Sequence, residues 1–142
     1  MCGITGVLDF DNKIEISKKL LTDMASFLKY RGPDKEGYYI KRNTDYSIGL
    51  AHKRLSIIDL SEKADQPMLS YSKNSIIVFN GEIYNYLELK DILQKDGAQF
   101  RSNSDTEVIL AAFEIWGIEK CLKMIEGMFA FALFDFKTKE LV

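Results

Sequence analysis

The second residue of the chain is a cysteine, and its position makes it the first candidate nucleophile. Once Met1 is removed, Cys2 carries a free α-amino group whose pKa lies near roughly 7.7–8.0, a base that works close to neutral pH. Thiol and base then share one residue, so proximity is built in. Nucleophiles activated by their own chain terminus are a known variant of triad chemistry. Taken alone, a cysteine at position two also reads as an accident of sequence. The chain has a single histidine, His52, and one further cysteine, Cys121. A metal site built on several His and Cys ligands is therefore nearly excluded. Cys121 lies on a helical stretch with Leu122 and Ile125 and reads as an inert core thiol.

A nucleophile needs a scaffold, and the pattern supplies one. Residues Cys2 to Phe10 form an apolar strand with glycines that allow close backbone approach. Ser17 can cap a helix running to about Lys29, with Leu20, Leu21, Met24, Phe27 and Leu28 on one face. Arg31-Gly32-Pro33-Asp34 is loop chemistry. Tyr38 to Lys41 and Tyr46 to Leu55 have strand character, and Asp59 to Leu69, polar and carrying Pro67, is a loop. Ser75 to Phe79 is a short β-branched strand that should stop at the turn dipeptide Asn80-Gly81. Tyr86 to Asp96 is helical, with Gly97 at its C′ position. Ser104 and Glu107 have capping-box spacing ahead of a helix that ends at Trp116-Gly117. Met128 to Phe136 is an aromatic strand, its Phe129, Phe131, Phe134 and Phe136 expected in the core. Lys137 to Glu140 is a hairpin turn, and Leu141-Val142 begins a returning strand. Strands mixed with helices without strict βαβ alternation indicate an α+β fold. A strand stopping at Val142 would leave its neighbour as an apolar edge, so the chain is expected to be a C-terminally truncated piece of a longer protein.

Seven segments occur in order: Met1-Cys2-Gly3-Ile4-Thr5-Gly6-Val7, Arg31-Gly32-Pro33-Asp34, the run Ala51-His52-Lys53-Arg54-Leu55-Ser56-Ile57-Ile58-Asp59, Gln66-Pro67, Asn80-Gly81-Glu82-Ile83-Tyr84-Asn85, Ser104-Asp105-Thr106-Glu107 and Gly127-Met128-Phe129-Ala130-Phe131-Ala132. Each is weak alone, but the ordered set spans nearly the whole chain. It resembles the class II glutamine amidotransferases, which are N-terminal-nucleophile hydrolases, and within them the glutaminase domain of glutamine-hydrolysing asparagine synthetases. Arg31-Gly32-Pro33-Asp34 separates this branch from glucosamine-6-phosphate synthase, whose loop usually reads Arg-Gly-Tyr-Asp. One departure is Tyr30, where the asparagine synthetases usually have histidine. It keeps open a related amidotransferase of a sugar or antibiotic pathway.

The resemblance implies a four-layer αββα sandwich, residues 1–142 being an incomplete glutaminase domain, and a role for each position. Cys2 attacks the amide of glutamine. Asn80 and Gly81 donate a side-chain amide and a backbone N–H to the oxyanion, which needs preorganised donors; without the family, Asn80-Gly81 would read as an ordinary turn. Arg54 holds the substrate α-carboxylate through its fork, against the usual reading of a surface arginine. Glu82 and Asp105 take the α-ammonium, against readings as a solvated turn residue and a helix-terminus carboxylate. Leu55, Ser56, Ile57 and Ile58 line the pocket with their backbone. The α-amino group takes the base's role, which leaves His52 structural. In the full-length protein a C-terminal synthetase domain would use ATP and Mg²⁺ to make asparagine from aspartate. No cofactor is expected in this chain, which has no Gly-rich phosphate loop, and a homodimer remains open. From another class, a non-catalytic glutamine-binding domain would keep the fold; intact Cys2, Arg54, Asn80, Gly81, Glu82 and Asp105 speak against it.

The totals agree. The chain has 142 residues, enough for one domain, and 46% are apolar, enough for a sizeable core. A net charge of -2 argues against nucleic acid. No apolar run approaches the roughly 18 residues of a membrane span, and Met1 to Lys13 has no basic region that would make it a signal peptide. With no such signal, both cysteines are expected reduced in a cytoplasmic protein.

Overall fold

Strand β1 (Gly3–Asp9) and strand β2 (Lys35–Arg42) flank β3 (Ser47–Arg54) in an antiparallel sheet, in a computed structural model that describes residues 1–142. A second antiparallel sheet has the order β4 (Met68–Leu69), β5 (Ser75–Ile83), β6 (Gly127–Asp135), β7 (Glu140–Leu141). Successive side chains point to opposite faces of a strand, and that alternation builds the layers. Ile48 and Leu50 of β3 meet Ile76 and Val78 of β5 and Phe134 of β6 in one buried cluster between the sheets. Ala51, on the other face of β3, packs on Leu21 and Ala25 of helix α1 (Lys18–Ser26). Ile77, Phe79 and Ile83, on the other face of β5, enter the largest core together with helices α2 (Tyr86–Lys95), α3 (Asp105–Trp116) and α4 (Ile118–Met124). The order is helix, sheet, sheet, helices: the αββα sandwich. Each fully buried aliphatic side chain contributes roughly 1.5–3 kcal/mol, so the inter-sheet cluster holds the two sheets in a fixed relation to each other. No helix is long and apolar enough to cross a membrane.

Several elements form where the residues indicate. The Ser17 hydroxyl accepts from Leu20 N–H at 3.1 Å and caps α1. Gly97 and Gly117 follow α2 and α3 with φ of +96° and +76°, a region in which a side chain would be strained. The turn after β6 returns the chain into β7, where Leu141 pairs with Phe134.

Other elements differ. Helix α1 ends at Ser26, where the hydroxyl donates to the Asp23 carbonyl at 2.6 Å, a local bond that competes with helix continuation. Phe27, expected on the buried face, is its exposed C-cap. The loop from Asp59 to Leu69 contains a 3₁₀ turn, Glu62–Ala64, and the short strand β4. Glu107 does not complete a capping box. Its carboxylate instead accepts from the backbone N–H groups of Arg101 and Ser102 and from the Ser102 hydroxyl. Phe129 is exposed and stacks on Phe131 at 6.0 Å, although Phe134 is fully buried as expected. The edge expectation for β6 holds only in part: Phe134 and Asp135 have partners in β7, while Gly127 to Ala130 are exposed.

The most consequential difference is Asn80-Gly81. It is not a turn. Strand β5 runs through it to Ile83, with Asn80 opposite Ala130 and Gly81 opposite Phe129. Pairing with β6 overrides the local turn preference, and the glycine serves a different purpose: a Cβ at Gly81 would come within 2.3 Å of the Met128 carbonyl oxygen.

Candidate active site

Alternation also selects the residues at one end of the gap between the sheets. The face of β3 that carries Ile48 and Leu50 continues through His52 to Arg54. The register Gly3↔Lys53 brings Cys2, just ahead of β1, beside Arg54. On β5 the face of Ile76 and Val78 continues to Asn80 and Glu82, across from Met128 of β6. These positions meet in a cleft of about 160 Å³ whose lining includes Cys2, Arg54, Leu55, Ile57, Ile58, Asn80, Gly81, Glu82 and Asp105. Ser56 is outside that lining; its backbone N–H donates to Asp34 Oδ2 at 2.9 Å. The volume is well below the roughly 300–1,000 Å³ of pockets for drug-sized ligands and suits a molecule of amino-acid size.

The nucleophile is held from two sides. Leu55 N–H donates to Cys2 Sγ at 3.4 Å, and the Leu55 carbonyl lies 3.7 Å from the same sulfur. Arg31 Nε donates to the Cys2 carbonyl at 2.9 Å. Arg31 belongs to a loop pressed against the end of β3: a Cβ on Gly32 would come within 2.2 Å of the Lys53 carbonyl oxygen, and Asp34 N–H donates to the Arg54 carbonyl at 3.0 Å. The Arg31-Gly32-Pro33-Asp34 segment was visible as a motif, but its work as a buttress under Cys2 was not. Met1 also lines the cleft and is 71% exposed, so its removal would widen the cleft and bare the Cys2 amine.

Asn80 Oδ1 is buried without a hydrogen-bond partner. An unpaired buried amide end costs roughly 1–3 kcal/mol. Its two ends exchange by a half-turn of χ2, so the same place can present an N–H donor to an oxygen brought by a ligand. On the same strand Gly81 is exposed, without a side chain over its backbone.

Charge is distributed by sign. Arg54, 8% exposed as a residue, donates from Nη1 to Asp65 Oδ1 at 2.7 Å and to the Ser61 carbonyl at 3.1 Å, and from Nη2 to the Asp59 carbonyl. Three of its five donors are so engaged, and Nε–H and one Nη2–H are left. Across the cleft, Asp105 is 5% exposed at the N-terminus of α3; its Oδ2 accepts from Ile83 N–H at 3.1 Å and its Oδ1 from Thr106 N–H at 2.8 Å. Burial, with Glu82's charge adding to it, pushes the Asp105 carboxyl above its ordinary range. A cation beside Asp105 would relieve that cost. Sequence reasoning assigned no role to Asp65, Thr106 or Gln66. Gln66 bridges Phe79 N–H and the Thr106 hydroxyl, at 2.6 and 3.2 Å, and so ties β5 to α3. Only the Gln66-Pro67 motif hinted at it.

His52, 1% exposed, places Nε2 3.1 Å from the Phe79 carbonyl, so Nε2 carries the proton, and Nδ1 has no partner. With its one bond made to the β5 backbone, it fits a structural imidazole. Burial, the largest influence, lowers its pKa from 6.5 to about 4. The folded value is below the unfolded one, so the neutral ring's stabilisation is complete above pH 6.5 and is lost as pH falls from 6.5 to 4. At about 1.4 kcal/mol for each pH unit between the two values, the loss amounts to roughly 3 kcal/mol. The expected result in an NMR titration is a ring still neutral at about pH 5.5, and a midpoint near 6.5 would contradict this account.

Cys121 is fully buried near the Ile109 carbonyl, and burial pushes its thiol up to about 11, so it is no competing nucleophile.

A family model described as a glutamine amidotransferase domain matches residues 1–142. The chain is 44% identical to a candidate glutamine-hydrolysing asparagine synthetase 2 of Methanocaldococcus jannaschii, over 100% of this chain and 29% of that protein. It is 42% identical to glutamine-hydrolysing asparagine synthetase B of Escherichia coli K12, over 95% of this chain and 23% of that protein. The chain thus spans less than a third of the length of these relatives. Among solved structures, a glutamine phosphoribosylpyrophosphate amidotransferase of B. subtilis, complexed with ADP and GMP, superposes with a TM-score of 0.51 at 23% identity, covering 62% of this chain and 21% of that one. At that identity the likeness speaks for the fold.

Proposed function

This chain belongs to the glutamine amidotransferase domain family, and from that premise we propose that it hydrolyses glutamine to glutamate and ammonia through a thioester on Cys2. The observation that carries the reading is the meeting, in one small cleft, of the Cys2 thiol, the unpartnered Asn80 amide, the Arg54 cation and the Asp105 carboxylate. With Met1 removed, the Cys2 α-amino group takes the thiol proton as sulfur attacks the δ-carbonyl of glutamine. The Asn80 amide and Gly81 N–H receive the oxyanion. The protonated amine then passes its proton to the departing nitrogen, ammonia leaves, and water cleaves the γ-glutamyl thioester to give glutamate and the free thiol. Arg54 holds the α-carboxylate, and Glu82 with Asp105 the α-ammonium. In the full-length protein, in the cytoplasm, the ammonia would serve ATP- and Mg²⁺-dependent synthesis of asparagine from aspartate in a C-terminal synthetase domain.

The test is covalent trapping. A glutamine analogue with a diazoketone in place of the side-chain amide should alkylate Cys2 in full-length protein that has lost Met1, as read by peptide mass spectrometry. Excess glutamine should protect. Full retention of Met1, or labelling that glutamine does not slow, would overturn the mechanism.

A further inference from the structure

We propose that Asp65 is a positioning residue for glutamine recognition, orienting Arg54 so that its remaining donors face the substrate α-carboxylate. The inference rests on the amidotransferase reading above and deepens it. Asp65 Oδ1 accepts a hydrogen bond from Arg54 Nη1 at 2.7 Å, and its Oδ2 pairs with Lys35 Nζ at 2.5 Å. The Arg54 side chain is 10% exposed and that of Asp65 29%, so this pair is shielded from the screening that weakens surface ion pairs. An arginine has several rotatable bonds and no intrinsic reason to present one edge. Here Nη1 is saturated by Asp65 and the Ser61 carbonyl, and Nη2 is half used by the Asp59 carbonyl. Only Nε–H and one Nη2–H remain for a carboxylate. Lys35 has a part of its own: its Nζ holds the far oxygen of Asp65 and, at 3.3 Å, the exposed carboxylate of Glu62, so Asp65 is fixed from the side away from Arg54.

The experiment is a double-mutant cycle in the full-length protein, with glutamate release measured for wild type, Asp65→Asn, Arg54→Lys and the double variant, and melting temperature as the fold control. Asp65→Asn should raise KM for glutamine about tenfold, the worth of one charge-assisted contact, and change kcat less than about threefold. In the Arg54→Lys background the same change should add less than about twofold, because Asp65 acts through Arg54. Equal effects in the two backgrounds would show a merely structural carboxylate, and an unchanged KM in folded Asp65→Asn would equally overturn the proposal. Should Asp65→Asn not fold, Lys35→Met decides: its KM should rise roughly two- to fivefold, and no rise would overturn it. If wild-type protein releases no Cys2-dependent glutamate, it is the amidotransferase reading that fails.

Discussion

Cys2→Ala is expected to abolish glutamate release from glutamine, lowering turnover by a factor of order 10⁶, the scale seen when a nucleophile of an acyl-transfer site is removed. No other group can take the role. Cys121 is buried, its thiol pushed up to about 11, and it sits on α4 in the largest core. The fold should survive, since the Cys2 sulfur contacts only the Leu55 backbone among polar groups. Cys2→Ser should fail as well, because its hydroxyl is a far weaker nucleophile near neutral pH. Synthesis driven by added ammonia in the full-length protein should persist, as it bypasses the thiol. The measurement is glutamate release beside ammonia-dependent product formation. Glutamate release at the wild-type rate from Cys2→Ala would sink the mechanism.

Asn80→Ala should lower kcat by roughly 10²–10³ with little change in KM, as expected for a donor whose interaction is made in the transition state. The separation from stability is clean here. The Asn80 side-chain oxygen has no partner to lose, and its backbone stays paired opposite Ala130. Melting should therefore shift little, and alanine could even stabilise the free protein by deleting an unsatisfied buried group. Asn80→Asp should be at least as damaging, because a carboxylate would face the developing oxyanion. A kcat within about threefold of wild type in Asn80→Ala would remove this residue from the oxyanion site.

Much was legible before the fold was known, for reasons of scale. Strand and helix periodicity along Ser47–Arg54, Lys18–Ser26 and Asp105–Trp116 is a local property, so the α+β layers and their main elements could be read directly. Local chemistry also identified Ser17 as a cap and Gly97 and Gly117 as helix ends. Candidate site residues were legible through the order of short motifs, from Cys2 to Asp105, and not through any one of them.

Other features depended on partners far along the chain. Asn80-Gly81 has the local chemistry of a turn, yet it is strand because β6, nearly fifty residues later, supplies a ladder and approaches too closely for any side chain at Gly81. Glu107 has the spacing of a capping box, yet four donors, two at Arg101 and two at Ser102, claim its carboxylate. Arg54 could be named from its motif, but which of its donors stay free is decided by Asp65, Ser61 and Asp59, a loop whose path no periodicity reveals. The sequence alone determined which residue types and which local elements were at hand. The tertiary structure decided their pairing, their unmet hydrogen bonds and the direction of their charges, because those depend on which distant groups the sheets and loops bring within bonding distance.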